Sequence, residues 1–125
     1  MAVLITDYAL DLCLGAIRSS AVRIDVCDSQ PITRVEALAN SLANATVGPS
    51  DFVISDGDID GRKLTLLAQS GITATGSGDA DHLAVSSATE LLAVCTITSQ
   101  PVTTGNKIDL SAVDIVELGD AQPEA

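Results

Sequence analysis

The clearest hydrophobic rhythm in the chain changes from helical to alternating within its first thirty residues. Over "TDYALDLCLGAIRS", Thr6 is placed to cap a helix, and Ala9, Leu10, Cys13, Ala16 and Ile17 recur at a spacing that puts them on one side. The expected product is an amphipathic first helix. Gly15 weakens it by about 1 kcal/mol relative to alanine, so packing has to hold it. The next run, "AVRIDVCDS", alternates: Val22, Ile24 and Val26 fall on one face, with Arg23, Asp25 and Cys27 on the other, which predicts a half-buried strand. After Pro31, "TRVEALANSLA" carries a capping-box spacing from Thr33 to Glu36 and a stripe of Val35, Leu38, Ala39 and Leu42, which predicts a short second helix. "NATVGPSD" then reads as a loop, broken by Gly48 and Pro49, before "FVIS" resumes an extended pattern.

From Arg62 onward the texture is that of an antiparallel sheet. "RKLTLLAQ", "GITATGS", "HLAVSS", "LLAVCTIT", "NKIDLS" and "VDIVEL" are the candidate strands, and "SGDAD", "SATE" and "TTGN" are the turns between them. A meander is the expected connectivity. The fold class predicted is α+β: an N-terminal helix packed on an antiparallel β-sandwich, mainly β in content. The organisation expected is one domain over residues 1–125, with a helix-containing part (1–50), an antiparallel part (51–118) and a polar tail (119–125).

Composition narrows the chemistry. Hydrophobic residues make up 46% of the chain, enough for a core, yet Tyr8 and Phe52 are its only aromatics. The core must be built from small aliphatic side chains, and a domain of this size gains from burial against a neighbour. A formal charge of -11 repels phosphate backbones and anionic lipid, so neither nucleic acid nor a membrane is an expected partner. Cys13, Cys27 and Cys95 are widely spaced among apolar neighbours, which suits buried free thiols rather than a disulfide framework or a zinc site. The opening residues lack the basic n-region of a signal peptide, and synthesis in a reducing cytoplasm is expected.

The most suggestive motif is DGDIDG at residues 56–61, three aspartates alternating as at the start of an EF-hand. An EF-hand needs flanking helices and a bidentate glutamate at the twelfth position. Gly48 and Pro49 precede the loop, a strand-like run comes after it, and the twelfth position is Leu67. Two readings remain: a looser calcium site formed by Asp56, Asp58 and Asp60, or an acidic turn whose carboxylates are offset by Arg62 and Lys63. The preferred reading is the turn, with no metal and no cofactor. His82, the single histidine, has Ser77, Asp81 and Ser86 near it in sequence but no recognisable triad, and is expected to be structural. No nucleophile elbow, phosphate loop or metalloprotease helix is present, and one Tyr with no Trp makes a poor sugar cleft. No catalytic residue is assigned, and an enzyme is not expected.

Several stretches resemble small virion proteins of tailed bacteriophages and prophages. They are Gly61 to Lys63 with the strand after it, "ITATGSGDADHLAV", "LLAVCTITSQPVTTGN", "VDIVEL" and the opening "ITDYALDLCLGAI", so the likeness spans most of Ile5 to Leu118. It implies a β-rich structural component located in the virion and supplies no catalytic residues and no ion at DGDIDG. The preferred expectation is a capsid decoration protein, self-associating and bound to the major capsid protein or other virion proteins. The rivals are a tail or fibre component and a calcium-dependent binding module using Asp56, Asp58 and Asp60.

Overall fold

The computed structural model describes residues 3–4, 6–58, 61–118 and 121–122. Helix α1, Asp7–Ser20, begins where the Thr6 side chain accepts a hydrogen bond from the Ala9 N–H at 3.2 Å. Asp7 in its first turn and Arg18 in its last complement the helix dipole. Its buried residues are Leu10 and Leu14, with Ile17 packed against the core. The predicted stripe is therefore rotated: Cys13 and Ala16 are exposed. Apolar residues occur nearly all round this helix, so their spacing alone does not choose the buried face.

Among the described residues every strand pairing is antiparallel. One sheet has four strands: β2 (Arg23–Cys27) lies between β3 (Ser41–Thr46) and β7 (Gly78–Ser86), and β8 (Leu91–Val102) forms the outer edge next to β7. A second sheet places β5 (Arg62–Leu66) between β4 (Phe52–Asp56) and β10 (Val113–Leu118). A ribbon of β6 (Gln69–Thr73) and β9 (Lys107–Leu110) joins the free edge of β3 through a bridge between Ala43 and Ala74. Near the ends of the chain, β1 (Val3–Leu4) pairs with β11 (Ala121–Gln122). The remainder of the predicted polar tail, 119–120 and 123–125, lies outside the described residues.

The main core forms where the two sheets face each other. Ile24 and Val26 of β2 and Leu83 and Val85 of β7 pack in one cluster with Leu64 and Leu66 of β5, Phe52, Ile115 and Leu14 of α1. The α1 helix packs on β4 and β5, so an N-terminal helix on an antiparallel, mainly β architecture is what the chain adopts. A smaller cluster covers the other face of the four-stranded sheet. There, Ala37 of the six-residue helix α2 (Arg34–Ala39) packs with Cys27 and Ala84, flanked by Leu91 and Val94.

That second cluster corrects the reading of β2 as half-buried. Asp25 and Cys27, on the face expected to be open, are both fully buried, because α2 and strands β3 and β7 surround a central strand. The second helix is also shorter than its stripe implies. It ends at Ala39, and "SLANAT" forms β3 where a helix tail and then a loop were expected. Most of "SGDAD" is likewise strand: Gly78, Asp79 and Ala80 pair with Val102, Pro101 and Gln100. Pro101 is tolerated because β8 is an edge strand. The meander holds for adjacent pairs such as β4–β5 and β7–β8, but β6 pairs with β9 and β10 returns to β5.

Candidate interaction surface

The acidic loop is a hairpin connection held by ion pairs. Gly57 donates to the Gly61 carbonyl at 2.9 Å, and Gly61 adopts φ 71°, a left-handed conformation that suits glycine. Arg62, the first residue of β5, donates to Asp56 at 2.7 Å and to Asp11 of α1 at 2.8 Å. Lys63 donates to Asp58 at 2.7 Å and to Asp114 of β10 at 3.2 Å, while Thr65 donates its hydroxyl to the same Asp114 at 2.8 Å. The Asp58 N–H is itself bonded to the Glu117 carboxylate at 3.1 Å. These contacts raise the pKa of Arg62, chiefly through Asp11, and of Lys63, chiefly through Asp58. The Thr65 hydroxyl and then Lys63 hold the Asp114 carboxyl below its ordinary value.

The arrangement matches the acidic turn offset by Arg62 and Lys63. Asp56 and Asp58 already have internal cations as partners, and Asp60 lies outside the described residues. Among the described residues, no group of three or more His, Cys, Asp or Glu side chains is placed to hold a metal ion. A calcium ion would have to compete with Arg62 and Lys63 for Asp56 and Asp58. Adding millimolar calcium, or a chelator, is therefore expected to leave the melting temperature unchanged to within about 1 °C, whereas a loop occupied at 100 times its Kd would gain about 2.7 kcal/mol and several degrees. A rise of that size would revive the calcium reading.

His82 lies on β7, and its Nδ1 contacts the Asp81 carboxylate at 2.7 Å. Among the described residues neither candidate serine joins them: Ser77 bonds Thr104 at 3.1 Å beside the paired ends of β7 and β8, and Ser86 is buried at the far end of the strand with its hydroxyl unpartnered. The three cysteines have different environments. Cys27 is buried and Cys95 half-buried, but Cys13 is exposed on α1, against the expectation of three buried thiols. A cleft of about 340 Å³ opens between β8 and the β9–β10 connection, lined by residues including Ile97, Gln100, Ser111 and Val113. Its only ionisable side chain, Asp109, already accepts the Gly71 N–H at 2.9 Å, so the cleft offers shape and hydroxyls rather than reactive groups.

Among the described residues, the most exposed large apolar side chains lie at two places, ahead of Val22, Val53 and Leu67. On α1, Tyr8 is 75% exposed and Leu12, one turn later, is 59% exposed. At the start of α2, Ile32 is 79% and Val35 76% exposed. The helical spacing puts Val35 on the buried stripe; the helix instead buries Ala37 against the sheet and turns Val35 outward. The predicted capping box is present, with Thr33 accepting from the Glu36 N–H at 3.2 Å and Glu36 accepting from the Thr33 and Ile32 N–H groups. Such a box commonly comes with a staple, in which the residue before the cap packs on the fourth helical residue. Here that fourth residue, Ala37, is sealed against Cys27 and Ala84, and Ile32 projects into solvent. No helix among the described residues is long and apolar enough to cross a membrane. No protein-family model, no curated protein and no solved structure matches the chain.

Proposed function

We propose that the protein is a structural component of a tailed-bacteriophage particle, a capsid decoration protein that acts by adhesion between folded surfaces. The observation that carries this reading is the Ile32–Val35 pair. Two large aliphatic side chains are held outward by a capped helix turn whose inner side is anchored to the four-stranded sheet. An isolated exposed aliphatic residue is ordinary, but two neighbours fixed on a rigid turn form a knob suited to an apolar recess on a partner. The likeness of the strand-rich stretches to small virion proteins supplies the context. Binding that occurs only on the assembled shell stabilises the shell in proportion to its occupancy, which is how a protein with no reaction to perform would reinforce it.

The test is co-sedimentation of the purified chain with empty shells, and separately with isolated tails, of the particle whose genome encodes it. Saturable binding to shells, reduced at least tenfold by Val35→Asp with the fold intact by circular dichroism, is the expected result. Binding to tails alone would make the protein a tail or fibre component. Binding to neither would overturn the virion reading.

A further inference from the structure

Helix α1 has three faces, and one of them is unexplained by anything within the chain. At 100° per residue, Leu10, Leu14 and Ile17 point into the core, and Asp7, Asp11 and Arg18 share one flank. Tyr8, Leu12, Gly15 and Ser19 form the opposite stripe. Their 4-3-4 spacing is that of a helix–helix seam, and no charged residue lies on it. Gly15 is the least expected member. A glycine inside a helix costs about 1 kcal/mol relative to alanine. Apart from its chain neighbours and the backbone of its own helix, no atom of the described residues lies within 4 Å of where its Cβ would be, so no close approach among them accounts for it.

We propose that this stripe is the contact by which two copies of the chain pair, with their α1 helices antiparallel about a two-fold axis near residues 13 and 14. The stripe is complementary to itself in that arrangement. Leu12 of each copy stands over Gly15 of its mate, and Tyr8 stands over Ser19, so each large side chain meets a small one. In an antiparallel pair each flank faces the same flank of the mate. Arg18 then lies level with the interval between Asp7 and Asp11 of the other helix, twice per dimer. Among the described residues, Arg18 makes no side-chain hydrogen bond or ion pair within its own chain. The opposed helix dipoles also favour this direction. A second copy is thus the occupant chosen by charge order and by the alternation of large and small residues. The dimer is independent of the virion reading and of the Ile32–Val35 knob, which lies on α2.

A single helix pair falls below the roughly 1,200 Å² typical of stable interfaces, so a dimer that dissociates on dilution is expected. Sedimentation velocity over a concentration series from about 10 μM to 1 mM should show monomer passing to dimer. Leu12→Glu is expected to weaken the dimer at least tenfold. Gly15→Leu is the decisive variant, because it improves the helix in the monomer while filling the space that receives the mate's Leu12. Its melting temperature should hold or rise while dimerisation weakens at least tenfold. Arg18→Glu should weaken the dimer most at low salt. A wild-type chain that stays monomeric at 1 mM, or an oligomer whose affinity Gly15→Leu leaves unchanged, would overturn the proposal.

Discussion

Arg23→Ala is expected to destabilise the fold by about 3–5 kcal/mol, more than removal of its partner Asp25 does. The reason is the unequal burial of the pair. Asp25 is fully buried on the central strand, whereas the Arg23 side chain keeps 31% of its accessible surface. The Arg23 Nε donates to both Asp25 oxygens at 3.0 Å and its Nη2 donates to one of them at 2.7 Å. The Asp25 hydrogen bond is the main cause of the raised Arg23 pKa. Deleting the arginine leaves a carboxylate in the interior without its counter-charge. Deleting the aspartate leaves a guanidinium that can still reach water, so Asp25→Ala should cost only about 1–3 kcal/mol. Adding Asp25→Asn to the Arg23→Ala chain replaces the stranded charge by a neutral amide and should recover part of the loss. Urea unfolding of the two single variants and this double variant measures all three. If Arg23→Ala costs under about 1 kcal/mol, well below the range for an uncompensated buried charge, the carboxylate has another partner and the buried pair does not hold the strand in place.

That pair also marks where the sequence stops being legible. The strand at Arg23–Cys27 is readable from its alternation, but polar residues at 23 and 25 look like a wet face. Only the tertiary placement of α2 and β7 shows that the face is dry, with Asp25 matched by the arginine two residues before it on the same side. The Thr33–Glu36 capping box is local chemistry and is readable to the residue. The segment beyond α2 is harder to read, since "SLANAT" has little strand propensity and becomes β3 through its ladder to β2, from Arg23–Thr46 to Val26–Ala43. The α1 stripe is rotated for a related reason. With Tyr8, Leu10, Leu12, Leu14 and Ile17 distributed around the helix, only contact with β4 and β5 selects the buried side. The offset of the acidic loop by Arg62 and Lys63 is legible, because both cations come directly after it. The ties to Asp11 and Asp114 are not, because they cross 51 residues of chain. The exposed pairs, Tyr8 with Leu12 and Ile32 with Val35, are hidden by the ordinary assumption that apolar residues at helical spacing face inward.

In native buffer near pH 8, a thiol reagent should modify one cysteine per chain quickly and all three only after denaturation. Cys13 is exposed on α1 and is the fast site. Burial is the largest influence on Cys27, with the carboxylates of Asp25, Asp28 and Asp81 adding to it, and its pKa is pushed up to about 12. Burial alone pushes Cys95 up to about 11. The thiolate is the reacting species, so at pH 8 these raised values leave Cys27 about one part in ten thousand ionised and Cys95 about one in a thousand, before any loss of access is counted. Modification of Cys27 should therefore run at least a hundredfold slower than that of Cys13, as followed by mass spectrometry of quenched time points. The same displacement fixes an alkaline limit on stability. Both thiols hold their protons more tightly in the folded state, so their contribution is complete below the ordinary thiol pKa near 8.5 and is lost as pH rises toward 11 and 12. Above about pH 9 the unfolded chain releases these protons first, and the unfolding free energy should fall by at most about 1.4 kcal/mol per pH unit for each thiol. Cys27→Ala removes the more strongly shifted group, so its stability at pH 10 relative to pH 7 should decline less steeply than that of the unmodified chain. An unchanged slope would show that Cys27 ionises in the folded state as readily as in the unfolded one, and that the small cluster under α2 admits water.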